Sequence, residues 1–135
     1  MNAEGLRERI GGEWRERADG WWVTLAPERL RSAAGLFVEA GARFSALVPC
    51  PDGTGALRLS WHWDVGGILL SVQSSFGPDT PVPSIADMCP AADWAERETR
   101  DYCAVTFEGR VSTPPLVLRE GDAPGVLLRR EGGHS

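Results

Sequence analysis

From Leu57 to Asp64 the chain alternates: Leu57, Leu59, Trp61 and Trp63 point one way, and Arg58, Ser60, His62 and Asp64 the other. A period of two with this contrast describes a β-strand with one face in a core and the other toward water. Gly66-Gly67 gives a hairpin turn into Ile68, Leu70 and Val72. Upstream, Phe44, Ala46 and Val48 alternate with Ser45 and Leu47, before a turn-rich loop at 49–55. These segments predict a three-stranded antiparallel unit that needs a cover on its apolar face. The cover is a helix predicted over 27–40. Pro27 suits a first helical turn, Leu30, Ala33, Ala34, Phe37 and Val38 form one apolar stripe, and Gly41 ends it.

The flanks read less sharply. Trp21 to Leu25 follows the Asp19-Gly20 turn and is rich in aromatic and β-branched residues, so it reads as a strand. Residues 1–17 are charged, and a short polar helix that frays is expected there. Phe76 to Pro83 reads as a loop and not as a domain linker. With 135 residues the chain suits one α+β domain over 1–120, followed by a Gly-rich, charged tail at 121–135. That tail is expected either to be flexible or to order against a partner.

Composition excludes several classes. Net charge is −5 and no Lys/Arg-rich run occurs, so nucleic acid is not an expected partner. The charged N-terminus has no secretory h-region, and stretches such as Ile68-Leu69-Leu70 are too short to insert in a bilayer. A cytoplasmic protein is expected, reaching a membrane only through a partner. Cys50, Cys89 and Cys103 make an odd set without a C-x-x-C pair, which suggests buried free thiols. Six Trp against one Tyr is unusual and would weigh heavily in a core or an interface.

A second helix is expected from Pro90 to about Tyr102. Asp93, Arg97 and Asp101 are spaced four apart, and Glu96 can pair with Arg100 in the same way. Ala91, Trp94, Ala95 and Tyr102 read as its apolar stripe, and Glu98 falls inside that stripe. A carboxylate there requires compensation, so Glu98 is expected to be buried and hydrogen-bonded.

Val82-Pro83-Ser84-Ile85, followed by Trp94 and Glu96-Arg97-Glu98, then Asp101-Tyr102, resembles the complex I 30-kDa subunit family, the C-type subunit of NADH:quinone oxidoreductase. The likeness includes the equivalent subunit or domain of membrane-bound nickel-iron hydrogenases. Val105, Phe107, Glu108 and Gly109 also match, and Pro114, Leu116 and Val117 fall at the family spacing. Cys103 replaces an apolar residue, Ala104 stands where the family usually has Gly, and Arg110 stands for His or Lys. Ala in a glycine's place implies a strained backbone.

The resemblance implies a two-layer α+β fold, helices packed on a mixed, largely antiparallel sheet. It implies a subunit without a catalytic site, cofactor or metal of its own. The implied partners are a large hydrogenase-like or quinone-site subunit and other peripheral-arm subunits, at the cytoplasmic membrane without direct insertion. The motif and interface residues carried over are Pro83, Ser84, Trp94, Glu96, Arg97, Glu98, Asp101, Phe107, Gly109, Arg110, Pro114 and Leu116. Pro114-Pro115 would leave Leu116-Val117-Leu118 extended along a partner, and Arg97, Arg100 and Arg110 would offer forks for its carboxylates.

Other readings stay open beside this one. His62 sits on a wet strand face and His134 in the tail, so neither is placed as a general base. The Cys and His residues share no metal-ligand spacing. Gly53-Thr54-Gly55 and Gly66-Gly67 are not phosphate loops. Independent catalysis is therefore not expected. A stand-alone interaction module would use the tryptophans and sheet edge equally well. The short chain and Ala104 lean toward a formate-hydrogenlyase-like assembly, while the overall pattern fits complex I.

Overall fold

A computed structural model describes residues 2–51, 53 and 55–109. In chain order these form α1 (Ala3–Ile10), β1 (Arg15–Arg17), β2 (Gly20–Thr24), a 3-10 turn (Pro27–Arg29), α2 (Leu30–Glu39), β3 (Arg43–Pro51), β4 (Leu57–Val65) and β5 (Ile68–Phe76). Then come β6 (Val82–Pro83), α3 (Ala92–Cys103) and β7 (Phe107–Glu108). A five-stranded sheet runs β1-β2-β5-β4-β3, and β6 and β7 form a separate two-stranded sheet. The class is α+β as the sequence predicts, with helices packed on a mixed sheet.

The β3-β4-β5 meander forms as its alternation requires, with Trp61 facing Leu47 on one side and Val72 on the other. Its register slips once, between Phe44 and Ala46, where Ser45 makes a bulge. The second contribution to the sheet is not local. β2 lies parallel to β5, Trp22 opposite Ser71 and Val23 opposite Val72, after the chain has passed through α2 and the meander. β1 then folds back antiparallel on β2.

Leu30, Ala33, Ala34 and Phe37 of α2 are buried over the sheet, and the Phe37 ring stacks flat on Trp63 at 4.7 Å. Phe44 meets the same indole edge-on at 5.3 Å, and Trp61 meets Phe76 at 6.4 Å. Val38, the last member of the expected stripe, stays outside at 39 % exposure because the helix ends beside it.

The N-terminal segment differs from expectation. α1 is seated, not frayed: Ala3, Leu6 and Ile10 are buried at i, i+3 and i+7 spacing. Asn2 caps it by accepting the Gly5 N–H at 2.8 Å. Arg7 lies over the Trp21 ring at 3.9 Å, so a charged helix still covers an apolar side chain. The tail expected at 121–135 lies outside the described residues.

Candidate docking site

The motif residues meet where β6, the loop after it, α3 and β7 come together. β6 and β7 run parallel, Val82 opposite Phe107 and Pro83 opposite Glu108. The Val82 N–H donates to the Thr106 carbonyl at 2.8 Å, and the Ser84 N–H to the Glu108 carbonyl at 3.0 Å. The loop then curls, with the Cys89 N–H donating to the Ile85 carbonyl at 2.8 Å, and enters α3.

Two side chains clamp this loop from opposite sides. Glu96, fully buried on α3, accepts the Ser84 hydroxyl at 2.7 Å and the Ile85 N–H at 2.8 Å. Ser84 Oγ in turn accepts the Ala86 N–H at 3.2 Å. From α2, Arg31 donates to the Ser84 carbonyl at 2.5 Å and forks onto both oxygens of Asp87 at 2.9 Å. That fork holds the Asp87 carboxyl below the usual range and the Arg31 guanidinium above its own. A carboxylate removed from water is stable only if its oxygens are satisfied, and here the loop backbone supplies a donor.

This reverses the expected roles of the two glutamates. Glu98 is exposed, and so are its stripe-mates Trp94 (57 %) and Tyr102 (39 %). The inward side of α3 is instead small and polar, with Ala92, Glu96, Thr99 and Asp101 buried. The reason is what the helix packs on. The Ser84–Ile85 turn offers donors more than apolar surface, so the helix rotates a carboxylate inward and leaves the two aromatics out.

Ion pairs run along the helix as well. Arg97 lies 3.9 Å from Asp93, a long contact, and Arg100 Nε reaches buried Asp101 at 3.1 Å. Phe107 is buried on β7 and Gly109 follows with φ +95°. Arg110, Pro114 and Leu116 lie outside the described residues. Sequence reasoning missed Arg31 and Asp87, whose separation of 56 positions leaves no local signal.

The helix ends on Ala104, which adopts left-handed φ 59°, ψ 32° and donates its N–H to the Arg100 carbonyl. It is the one non-glycine residue with positive φ among those described. Ala104→Gly should therefore stabilise the protein by about 1 kcal/mol. A higher urea midpoint with unchanged slope is the expected reading; no gain would mean the cap is relaxed.

Among the described residues the remaining candidates are His62 and the three cysteines. His62 Nε2 lies 2.9 Å from Ser60 Oγ and its Nδ1 2.7 Å from Ser71 Oγ, and burial lowers its pKa, opposed by Asp19. Cys89 is buried and Cys103 half-buried, its thiol pushed up to about 11 by burial; Cys50 is exposed, contrary to expectation. Among the described residues no group of three or more His, Cys, Asp and Glu is placed to hold a metal. No helix among them is long and apolar enough to cross a membrane. What the motif builds is a rigid, hydrogen-bonded joint with one helix side left open.

Comparison with known proteins shows which family the chain resembles. The C-type subunit of NADH-quinone oxidoreductase from Rhodobacter capsulatus is 32% identical over 109 residues, covering 73% of this chain and 54% of its own length. The C/D-type subunit of the same enzyme from Gluconacetobacter diazotrophicus is 54% identical over 114 residues, 67% of this chain and 19% of that protein. The chain thus spans about half the length of the first and a fifth of the second. A chain of the membrane-bound sulfane sulfur reductase, an archaeal respiratory membrane complex, has the same fold, with a TM-score of 0.74 at 19% identity over 92% of this chain and 78% of its own. Residues 23–131 match the family described as respiratory-chain NADH dehydrogenase, 30 Kd subunit. With residues 23–131 matched, most of its length, the chain belongs to the 30-kDa subunit family of respiratory-chain NADH dehydrogenases.

Proposed function

We propose that the chain is a non-catalytic peripheral-arm subunit of a complex I-like NADH:quinone oxidoreductase, docked beside the large quinone-site subunit at the cytoplasmic face of the membrane. The observation that carries this reading is the division of α3. Glu96 fixes its inner side to the Ser84–Ile85 turn, while Trp94, Glu98 and Tyr102 stand exposed in a row on the outer side. Large aromatics on a helix already immobilised lose little entropy on binding, which is what anchor residues of an interface require. Glu98 between them would meet a cation of the partner. The segment expected to continue this surface, Arg110 through Leu116, lies outside the described residues. Relatives at 32% and 54% identity that are NADH-quinone oxidoreductase subunits support this reading over the hydrogenase alternative.

The test is recovery of the tagged chain from membranes of its native host. Wild type should bring down a large quinone-site subunit, and Trp94→Asp with Tyr102→Ser should reduce that recovery at least about ten-fold. The variant should keep the wild-type denaturation midpoint, because both side chains are exposed. Recovery of no such subunit by wild type would refute the function. Equal recovery by the variant would move the interface elsewhere.

A further inference from the structure

We propose that the open face of the five-stranded sheet is a second interaction surface, which takes an extended acidic segment of a partner protein. The register aligns its side chains in rows across the strands. Arg15, Trp22, Ser71, His62 and Ala46 stand side by side, and Thr24, Gln73, Ser60 and Val48 form the next row. α2 covers the opposite face; on this one Val48 is 45 % exposed at the edge, while Ser60 and Ser71 are buried at the centre.

The centre of the face is ordered without a partner. Trp22 meets the His62 ring edge-on at 5.2 Å and donates its indole N–H to Asp19 at 2.9 Å. Ser60 and Ser71 hold His62 from both sides, and Gln73 donates to Thr24 Oγ1 at 3.0 Å. Arg17 lies over the Trp22 ring at 4.6 Å, a cation–π contact that holds the exposed guanidinium beside the face.

Charge decides the occupant. The face carries Arg15, Arg17, Arg43 and Arg58 against Asp19 and Asp64, an excess of two positive charges on a chain whose net charge is −5. Asp64 is taken by Arg43 at 3.3 Å and by the Gly67 N–H at 2.8 Å, and Asp19 by Trp22. Among the described residues no carboxylate lies within ion-pair distance of Arg15, Arg17 or Arg58.

Arg17 lies on the Asp64 row of the sheet, six residues in register from Arg58, which is roughly 20 Å along the strand direction. Three strand spacings from β1 to β4 add roughly 14 Å across the sheet, so the two positions are about 25 Å apart, and an extended segment of about eight residues spans them with a carboxylate at each end. Nucleic acid or an anionic membrane needs a far larger cationic patch and would be repelled by the chain's net charge. The chain's own C-terminal residues lack the acidic excess: Arg110, Arg119, Arg129 and Arg130 stand against Glu120, Asp122 and Glu131.

The full chain, isotope-labelled, would be titrated with a synthetic peptide of Asp and Glu alternating with Leu, and with its Asn/Gln counterpart. The expected result is selective shifting of the Trp22 indole and of amides in β2 and β4 by the acidic peptide alone, weakening as salt rises from about 0.05 to about 0.3 M. Arg17→Glu with Arg58→Glu should weaken binding at least about ten-fold, with the circular dichroism unchanged. Equal binding of the neutral peptide, shifts centred on Trp94, or no binding would each overturn the proposal. So would Arg-dependent sedimentation with phosphatidylglycerol vesicles, which would assign the face to a membrane. Because this face is separate from the outer side of α3, either surface can fail while the other stands.

Discussion

Replacing Glu96 by alanine should destabilise the protein by about 2–5 kcal/mol, whereas replacing Glu98, two positions away, should change stability by no more than about 0.5 kcal/mol. The asymmetry follows from what each carboxylate leaves behind. Removing the Glu98 side chain exposes more of a surface already in water. Removing Glu96 strands the Ser84 hydroxyl and the Ile85 N–H inside the protein, and each orphaned buried donor costs about 1–3 kcal/mol. Glu96→Gln keeps an acceptor for Ile85 and should lose less than Glu96→Ala. Urea denaturation followed by intrinsic fluorescence measures all three. Equal midpoints for Glu96→Ala and Glu98→Ala would mean that the joint between α3 and the Ser84 turn is not a hydrogen-bonded lock.

That contrast also marks how far the sequence could be read. The meander, its Gly66-Gly67 turn and α2 were legible because they obey local rules: alternation for β4, an apolar stripe for α2. Ala104 was legible as a strained position through the family's glycine, and its φ of 59° agrees. The orientation of α3 was not, because counting apolar residues ranks Trp94 and Tyr102 above Glu96 as inward candidates. The deciding partners, Ser84 and Ile85, are 12 and 11 residues away and act through one hydroxyl and one backbone N–H. The parallel pairing of β2 with β5 was equally hidden, since it joins segments separated by a helix and two strands. The seating of α1 rests on Ala3, Leu6 and Ile10 among charged neighbours, too sparse a stripe to outweigh them. The motif therefore located the candidate site, while the role of each glutamate inside it depended on tertiary contacts.

Gly20→Ala should be among the most damaging single-methyl additions in the described residues, lowering stability by about 2–5 kcal/mol. Gly20 begins β2 with φ +132°, a conformation that costs an L-residue about 1–2 kcal/mol. A Cβ there would sit 2.2 Å from the Leu69 carbonyl oxygen and 3.0 Å from Leu69 Cβ. The first of these is β5 backbone, held at Leu69 opposite Asp64 of β4, so it cannot swing aside as a side-chain end would, and overpacking of this kind adds about 1–3 kcal/mol. Gly67→Ala separates the two contributions, because its φ is +93° with nothing within 4 Å of the added carbon. It should lose only the conformational part, about 1–2 kcal/mol. The damage at Gly20 should also be directional. The clash pushes β2 from β5 at the turn that folds β1 back, and β1 carries Arg15 and Arg17 to the open sheet face. Amide hydrogen exchange in Gly20→Ala should therefore accelerate first in β1 and β2, ahead of β3 and β4. Uniform acceleration, or a loss no greater than that of Gly67→Ala, would show that the sheet absorbs the methyl and that β1 is not held by the Gly20–Leu69 approach.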